Sequence, residues 1–209
     1  MKIIQPSYQI IGREELEGMK FLKRIEEVGR TCYKSEDKIT ETSAINFAKT
    51  LIKNGHEAMI EHNIISVRFI CDRGVSHELV RHRLASFGQE STRYCNYSNE
   101  KFGQELTVIA PCFFTPDSKL WTYWESAMLD CENMYFRLLE NGAKPQEARS
   151  VLPNSLKTEI VVSMNIREWR HFFKLRCDTP AHPQMRQLTI PLLHELQQLI
   201  PVVFADLNF

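Results

Sequence analysis

Extended segments are scarce in this chain and the stretches between them are helical, which narrows the possible folds more than any other feature. Residues 2–5 read as a short strand. Ile65, Val67, Phe69 and Cys71 alternate with Ser66, Arg68 and Ile70, the period-two pattern of a strand buried mainly on one face. Further strands are expected near 106–114 and over Glu159–Met164. Apolar spacing predicts helices near 13–29, 41–54, 75–86 and 117–142, a short one opened by Pro145 and stopped by Pro153, one beginning at Asn165, and a last one over 183–200. Pro191 should kink or split that last helix. These strands do not alternate with helices in a βαβ rhythm, so the expected class is α+β: a mostly helical single domain, residues 1–209, packed around a small central sheet.

Local signals set several boundaries. Asn54-Gly55 ends the second helix and Gly142 the long one. Asn165, followed three residues later by Glu168, is an N-cap with an acid in the first turn. The helix that begins there turns Trp169, Phe172 and Phe173 to the core and Arg167, His171 and Lys174 to another face.

Composition excludes several function classes. Lys+Arg and Asp+Glu both total 26, so no overall field drives adsorption to nucleic acid or a membrane surface. No apolar run approaches the roughly 20 residues of a bilayer span. Met1–Pro6 has no signal-peptide pattern, and a cytoplasmic protein is expected. Six scattered cysteines, never in a Cys-x-x-Cys pair, read as free thiols.

Three places could carry chemistry. In Ser76–Tyr94, Arg81, Arg83 and Arg93 stand with His82 beside the small residues Ser86, Gly88, Ser91 and Thr92. Guanidinium groups bind phosphate oxygens bidentately, and small residues let main-chain N–H groups approach the same anion. On a helix Glu78 would neighbour both Arg81 and His82 and orient them. The competing reading is a solvated basic helix end. The second place, Gly55–His62, holds His56, Glu57, Glu61 and His62, but not at the His-Glu-x-x-His spacing of a helical zinc site, so no metal is assigned. Hydrogen bonding to a polar ring or ribose competes there with a purely structural role. The third, Asn165–Arg176, adds Arg167, His171 and Arg176, and an amphipathic helix with a basic outside explains it equally well. Arg149, on the short helix before the last strand, is as readily a surface partner of Glu147. Walker A, Gly-x-Gly-x-x-Gly and Gly-x-Ser-x-Gly loops are all absent.

Taken in register, these blocks resemble the flavin-dependent thymidylate synthases. The resemblance rests on Arg81-His82-Arg83 followed after seven residues by Ser91, on Glu78–Arg81 and Gln89–Tyr94, on Gly55-His56-Glu57 with Glu61-His62, and on Ala148–Pro153, Asn165–Arg167 and Leu175-Arg176. It implies reductive methylation of dUMP to dTMP, with methylenetetrahydrofolate as carbon donor, FAD as hydride carrier and NADPH as reductant. No enzymic cysteine attacks the pyrimidine in that chemistry. It implies a homotetramer with shared active sites. By position, dUMP contacts fall on Glu78, Leu79, Val80, Arg81, Gln89, Glu90, Ser91, Thr92, Arg93, Arg149 and Arg176. FAD contacts fall on Ala58, Arg81, His82, Arg83, Gln89, Asn165, Ile166, Arg167 and His171, and His56 lies near flavin and folate. Arg176 takes the catalytic role of polarising the uracil and favouring ionisation at N3.

The chain departs from common members at several positions. Glu78 stands where many have Gln, Gln89 where several have Glu, and His171 where Asn is frequent. Ala58 replaces a Ser or Thr, so only its main chain could touch FAD, and Cys177–Gln184 differs from the usual segment. Two alternatives of other classes are a nucleotide- or RNA-binding protein using the Arg81–Arg93 patch and a metal-dependent nucleotide hydrolase built on His56, His62 and His82.

Overall fold

The computed structural model describes residues 1–209. The chain divides into two compact units that alternate along the sequence, one made of Met1–Ser7, Phe69–Arg81 and Phe87–Val161, the other of Tyr8–Arg68, His82–Ser86 and Val162–Phe209. Helices dominate and the strands fall into two small sheets, consistent with the α+β expectation. No helix is long and apolar enough to cross a membrane.

The main sheet has four strands in the order β2 (Ser7–Ile11), β3 (Ile64–Asp72), β6 (Lys157–Asn165) and β4 (Ala85–Gln89). The alternation read from the sequence holds on the two central strands. Val67, Phe69 and Cys71 of β3 and Thr158, Ile160 and Val162 of β6 are fully buried, and the intervening residues are less so. A two-stranded parallel sheet joins β1 (Lys2–Ile4) to β5 (Thr107–Ile109), with Lys2 opposite Thr107 and Ile4 opposite Ile109.

In the first unit, helix α3 (Arg73–Leu79) starts at Asp72, whose carboxylate accepts from the Val75 N–H at 2.7 Å. Helix α4 (Lys119–Glu140) is capped in the same way by Ser118 on the Trp121 N–H, and it ends before Gly142 at φ 92°, a conformation that suits glycine. Tyr135 of α4 packs with Tyr97, Leu106, Ala148 and Leu156 in that unit's core. Helix α5 (Pro145–Ala148) leads into a 3-10 turn over Arg149–Val151.

In the second unit, α1 (Lys20–Thr31) meets α2 (Ser43–Lys53) at Gly29, where an added Cβ would strike the Phe47 ring. Helix α6 (Ile166–Arg176) buries Trp169, Phe172 and Phe173 completely, with Phe204 of α8 (Pro201–Phe204) edge-on to Phe173. The Trp169 indole N–H donates to the Ile65 carbonyl at 3.0 Å. Arg170, also buried, holds both carboxylate oxygens of Asp206 at 2.6–2.7 Å, a charge-assisted fork.

Four expectations change, and one strand, β2, was not expected. The predicted helix 13–29 is a 3-10 turn at Arg13–Glu15 followed by α1, because the chain passes Gly18 at φ 81°. Strand β2 carries only one fully buried side chain, Ile10, and so gave little apolar signal. The strand expected over 106–114 spans only Thr107–Ile109. The helix expected over 75–86 ends at Leu79, and residues 85–89 of the following loop form β4, an edge strand of half-exposed residues. Helix α7 (Pro183–Leu199) runs unsplit through Pro191, whose ring is exposed while Leu188, Leu192, Leu193 and Leu196 stay buried. Burial of that apolar face outweighs the loss of one helical N–H bond.

Candidate active site

Within the first unit, the end of α3 and the turn after β4 hold most of the expected dUMP contacts. Leu79 is fully buried, Glu78 half-buried, and Val80 and Arg81 are exposed. Gln89 donates through Nε2 to the Ser76 hydroxyl at 2.9 Å and to Thr158 at 3.2 Å, so what it offers a ligand is its amide oxygen. Glu90 N–H donates to the Glu159 carbonyl at 2.8 Å and continues the ladder of β4. Its carboxylate accepts from the Tyr97 hydroxyl at 3.0 Å and from Lys157 Nζ at 2.9 Å, so it anchors the turn within the unit.

Two of these groups, Tyr97 and Lys157, have shifted proton affinities. Burial pushes the Tyr97 hydroxyl far up, and the Glu90 charge adds to the rise, so tyrosine keeps the proton it donates. Burial pulls the Lys157 ammonium down, but its hydrogen bonds to Glu159 and Glu90 outweigh that and leave it above the ordinary lysine range. From this anchor the chain closes one turn, with Tyr94 and Cys95 N–H both donating to the Ser91 carbonyl. Ser91 and buried Thr92 sit in the turn; Arg93 reaches Gln146 at 3.2 Å and lies over the exposed Tyr94 ring. Arg149 is exposed at the end of α5, and Glu147 is engaged by the Lys144 N–H in a capping box, not by Arg149.

Within the second unit, His82 is the hub. It is 4% exposed, its Nδ1 lies 3.2 Å from Glu168 Oε1, and its Nε2 lies 3.0 Å from Arg176 Nε. Burial lowers the imidazole's proton affinity; the Glu168 hydrogen bond opposes this, and the Arg176 and His171 charges reinforce it. His82 is therefore neutral at pH 7. This corrects the expectation that Glu78 orients His82 along a helix: α3 stops short of His82, and its carboxylate partner is Glu168.

The outer face of α6 borders a cavity of about 440 Å³, lined among others by Leu84, Asn165, Arg167, Glu168, His171 and Lys174. Asn165 caps the helix, its Oδ1 accepting from Glu168 N–H at 2.9 Å, as the sequence pattern indicates. Arg167 pairs with Glu61 at 2.7 Å and Glu57 at 3.3 Å. His56, Ala58 and Arg83 are exposed, and Ile166 is fully buried with its N–H on the Asn63 carbonyl. The cavity sets Arg167, His171 and Lys174 beside the carboxylates of Glu57 and Glu61, and Arg83 is exposed; cationic donors of this kind can hold the phosphates of a dinucleotide such as FAD. Glu168 was not anticipated as a site residue. In the sequence its position three residues after Asn165 signals only a helix cap.

Five of the six thiols are shifted away from the reactive thiolate. Burial raises the pKa of Cys71, Cys95, Cys112, Cys131 and Cys177.

Residues 16–202 match the family model described as thymidylate synthase complementing protein. The chain is 33% identical over 184 residues to a flavin-dependent thymidylate synthase of Geobacter sulfurreducens, covering 85% of this chain and 78% of that one. It is 34% identical over 220 residues to one of Corynebacterium glutamicum, covering 96% and 84%. A crystal structure of a UMP/dUMP methylase from Streptomyces cacaoi bound with 5-Br dUMP superposes with a TM-score of 0.78 over 98% of this chain and 96% of that one, and at 20% identity this likeness speaks to the fold. The chain belongs to the thymidylate synthase complementing protein family, that of the flavin-dependent thymidylate synthases.

Proposed function

We propose that the protein makes dTMP by reductive methylation of dUMP, with methylenetetrahydrofolate as carbon donor and NADPH as reductant. Bound FAD, once reduced by NADPH, would supply the hydride that converts the transferred methylene to a methyl group, with the folate leaving as tetrahydrofolate. Arg81, Arg93 and Arg149 bring cations to the nucleotide phosphate. Glu78–Val80, the Gln89 amide oxygen and the Glu90–Thr92 turn complete its hydrogen bonds.

Arg176 carries the chemistry of the chain itself. A fixed cation at the uracil stabilises the negative charge that develops as N3 ionises, worth roughly 3–4 kcal/mol by analogy with an oxyanion-hole donor. On the cofactor side, Arg81, His82, Arg83 and Gln89 act with Asn165, Ile166, Arg167 and His171. Ala58 contributes its main chain, and His56 lies near flavin and folate. The working form is a cytoplasmic homotetramer of a single catalytic domain, with active sites drawn from several subunits.

The observation that carries this reading is the Arg176 guanidinium, pinned at Nε by a neutral histidine. The test is to load purified protein with FAD, remove the excess, and record the visible spectrum with and without dUMP before assaying dTMP. A retained flavin spectrum that shifts with dUMP, and dTMP formation that requires both folate and NADPH, are expected. No retained flavin and no dTMP would overturn the reading.

A further inference from the structure

We propose that Glu168 is a positioning residue for Arg176: it fixes the tautomer of His82, and His82 in turn orients the guanidinium. The inference rests on Arg176 acting on the uracil, but its structural half stands by itself.

The partners dictate the proton positions. Arginine has donors and no acceptor, so the 3.0 Å contact between Arg176 Nε and His82 Nε2 requires an unprotonated Nε2. An ionised carboxylate only accepts, so the 3.2 Å contact at Nδ1 requires a proton there. One neutral tautomer, Nδ1–H, satisfies both. The other tautomer, and the imidazolium, would set an N–H of His82 against the N–H of Arg176. The lowered proton affinity of His82 agrees with the neutral ring.

Each member of this relay is held from outside it. Glu168 sits in the first turn of α6, its N–H on Asn165 Oδ1, where the helix dipole favours a carboxylate. The Phe172 ring stands edge-on to His82 with centroids 4.9 Å apart and limits its rotation. Arg176 is the last residue of the same helix, and its carbonyl accepts from the Thr189 hydroxyl at 2.9 Å. One helix thus carries both ends of the relay, and His82, from the turn after α3, closes it. With the main chain and Nε both fixed, little freedom remains at the guanidinium, which is what preorganised charge stabilisation requires.

The experiment has two arms. In the full chain with FAD, imidazole 15N labelling and two-bond proton–nitrogen correlations report the His82 tautomer, assigned by the signal missing from His82→Gln. Nδ1–H at neutral pH is expected; Nε2–H or an imidazolium would overturn the relay, whatever the enzyme's activity. In the second arm, Glu168→Ala should lower kcat for dTMP about 10–100-fold, the range seen when an outer partner of a functional histidine is lost. Its KM for dUMP should change far less than kcat, because most of the loss falls on charge that develops only in the transition state. Glu168→Gln, whose amide oxygen accepts the same proton, should recover most of that loss and keep the Nδ1–H signal. Equal losses in the Ala and Gln variants, or unchanged kcat in Glu168→Ala, would overturn the positioning role. Absence of dTMP formation in the unsubstituted protein would instead refute the proposed function and leave the tautomer result standing.

Discussion

Arg81 and Arg176 are both assigned to the nucleotide, yet their surroundings are opposite. Arg81 projects from the turn after α3, exposed, and takes part in none of the chain's ion pairs. Arg176 is half-buried and held at Nε by a buried imidazole that a carboxylate holds in turn. A phosphate carries full charge before and after reaction, so a mobile, hydrated cation serves it. A uracil gains charge only in the transition state, and a donor already in place avoids reorganisation at that moment. The same contrast appears between acids: Glu90 anchors a turn through Tyr97 and Lys157, and Glu168 sets a histidine's tautomer.

The contrast breaks first at Arg176. Arg176→Ala should leave flavin binding largely intact while cutting turnover by about 10²-fold or more. Steady-state kinetics beside the flavin spectrum will check this, and near-normal turnover would remove the assigned role. Next in size, Lys157→Met should cost about 1–3 kcal/mol by leaving the Glu90 carboxylate without its cation. Denaturant unfolding measures that loss, and dUMP binding should weaken with it as the Glu90 turn loosens.

A smaller effect follows from His82. Its folded-state pKa lies below the ordinary 6.5, so between the two values the unfolded chain binds more protons than the folded one. His82's contribution to stability is therefore complete above about pH 6.5 and declines as pH falls through the folded value. Melting temperature measured against pH should show this decline, and His82→Gln should flatten it. The smallest change is expected from Ser91→Ala, less than about tenfold in turnover, since the hydroxyl only hydrogen-bonds the nucleotide. A loss as severe as that of Arg176→Ala would mark Ser91 as a nucleophile instead.

The elements legible in advance were those whose signal is local. The alternation in β3 and β6, the cap at Asn165 and the stop at Asn54-Gly55 each depend on a few adjacent residues. Strands β2 and β4 escaped because they are edge strands of the four-stranded sheet, and an edge strand needs few apolar residues. Helix α3 stopped early for a related reason. Val80 and Leu84 kept up an apolar pattern but are exposed, at 40% and 72%, so burial does not extend the helix to them.

The amino-acid sequence by itself determined the α+β class, the caps and stops of the main helices and the family, because each of these is written in neighbouring residues or in motifs kept in order. Only the tertiary structure decided what each charged group faces. Glu168 and His82 are 86 residues apart, and His82 and Arg176 are 94 apart. No local rule pairs residues so distant. Burial pairs them, because an imidazole and a carboxylate withdrawn from water must find hydrogen-bond partners within the protein.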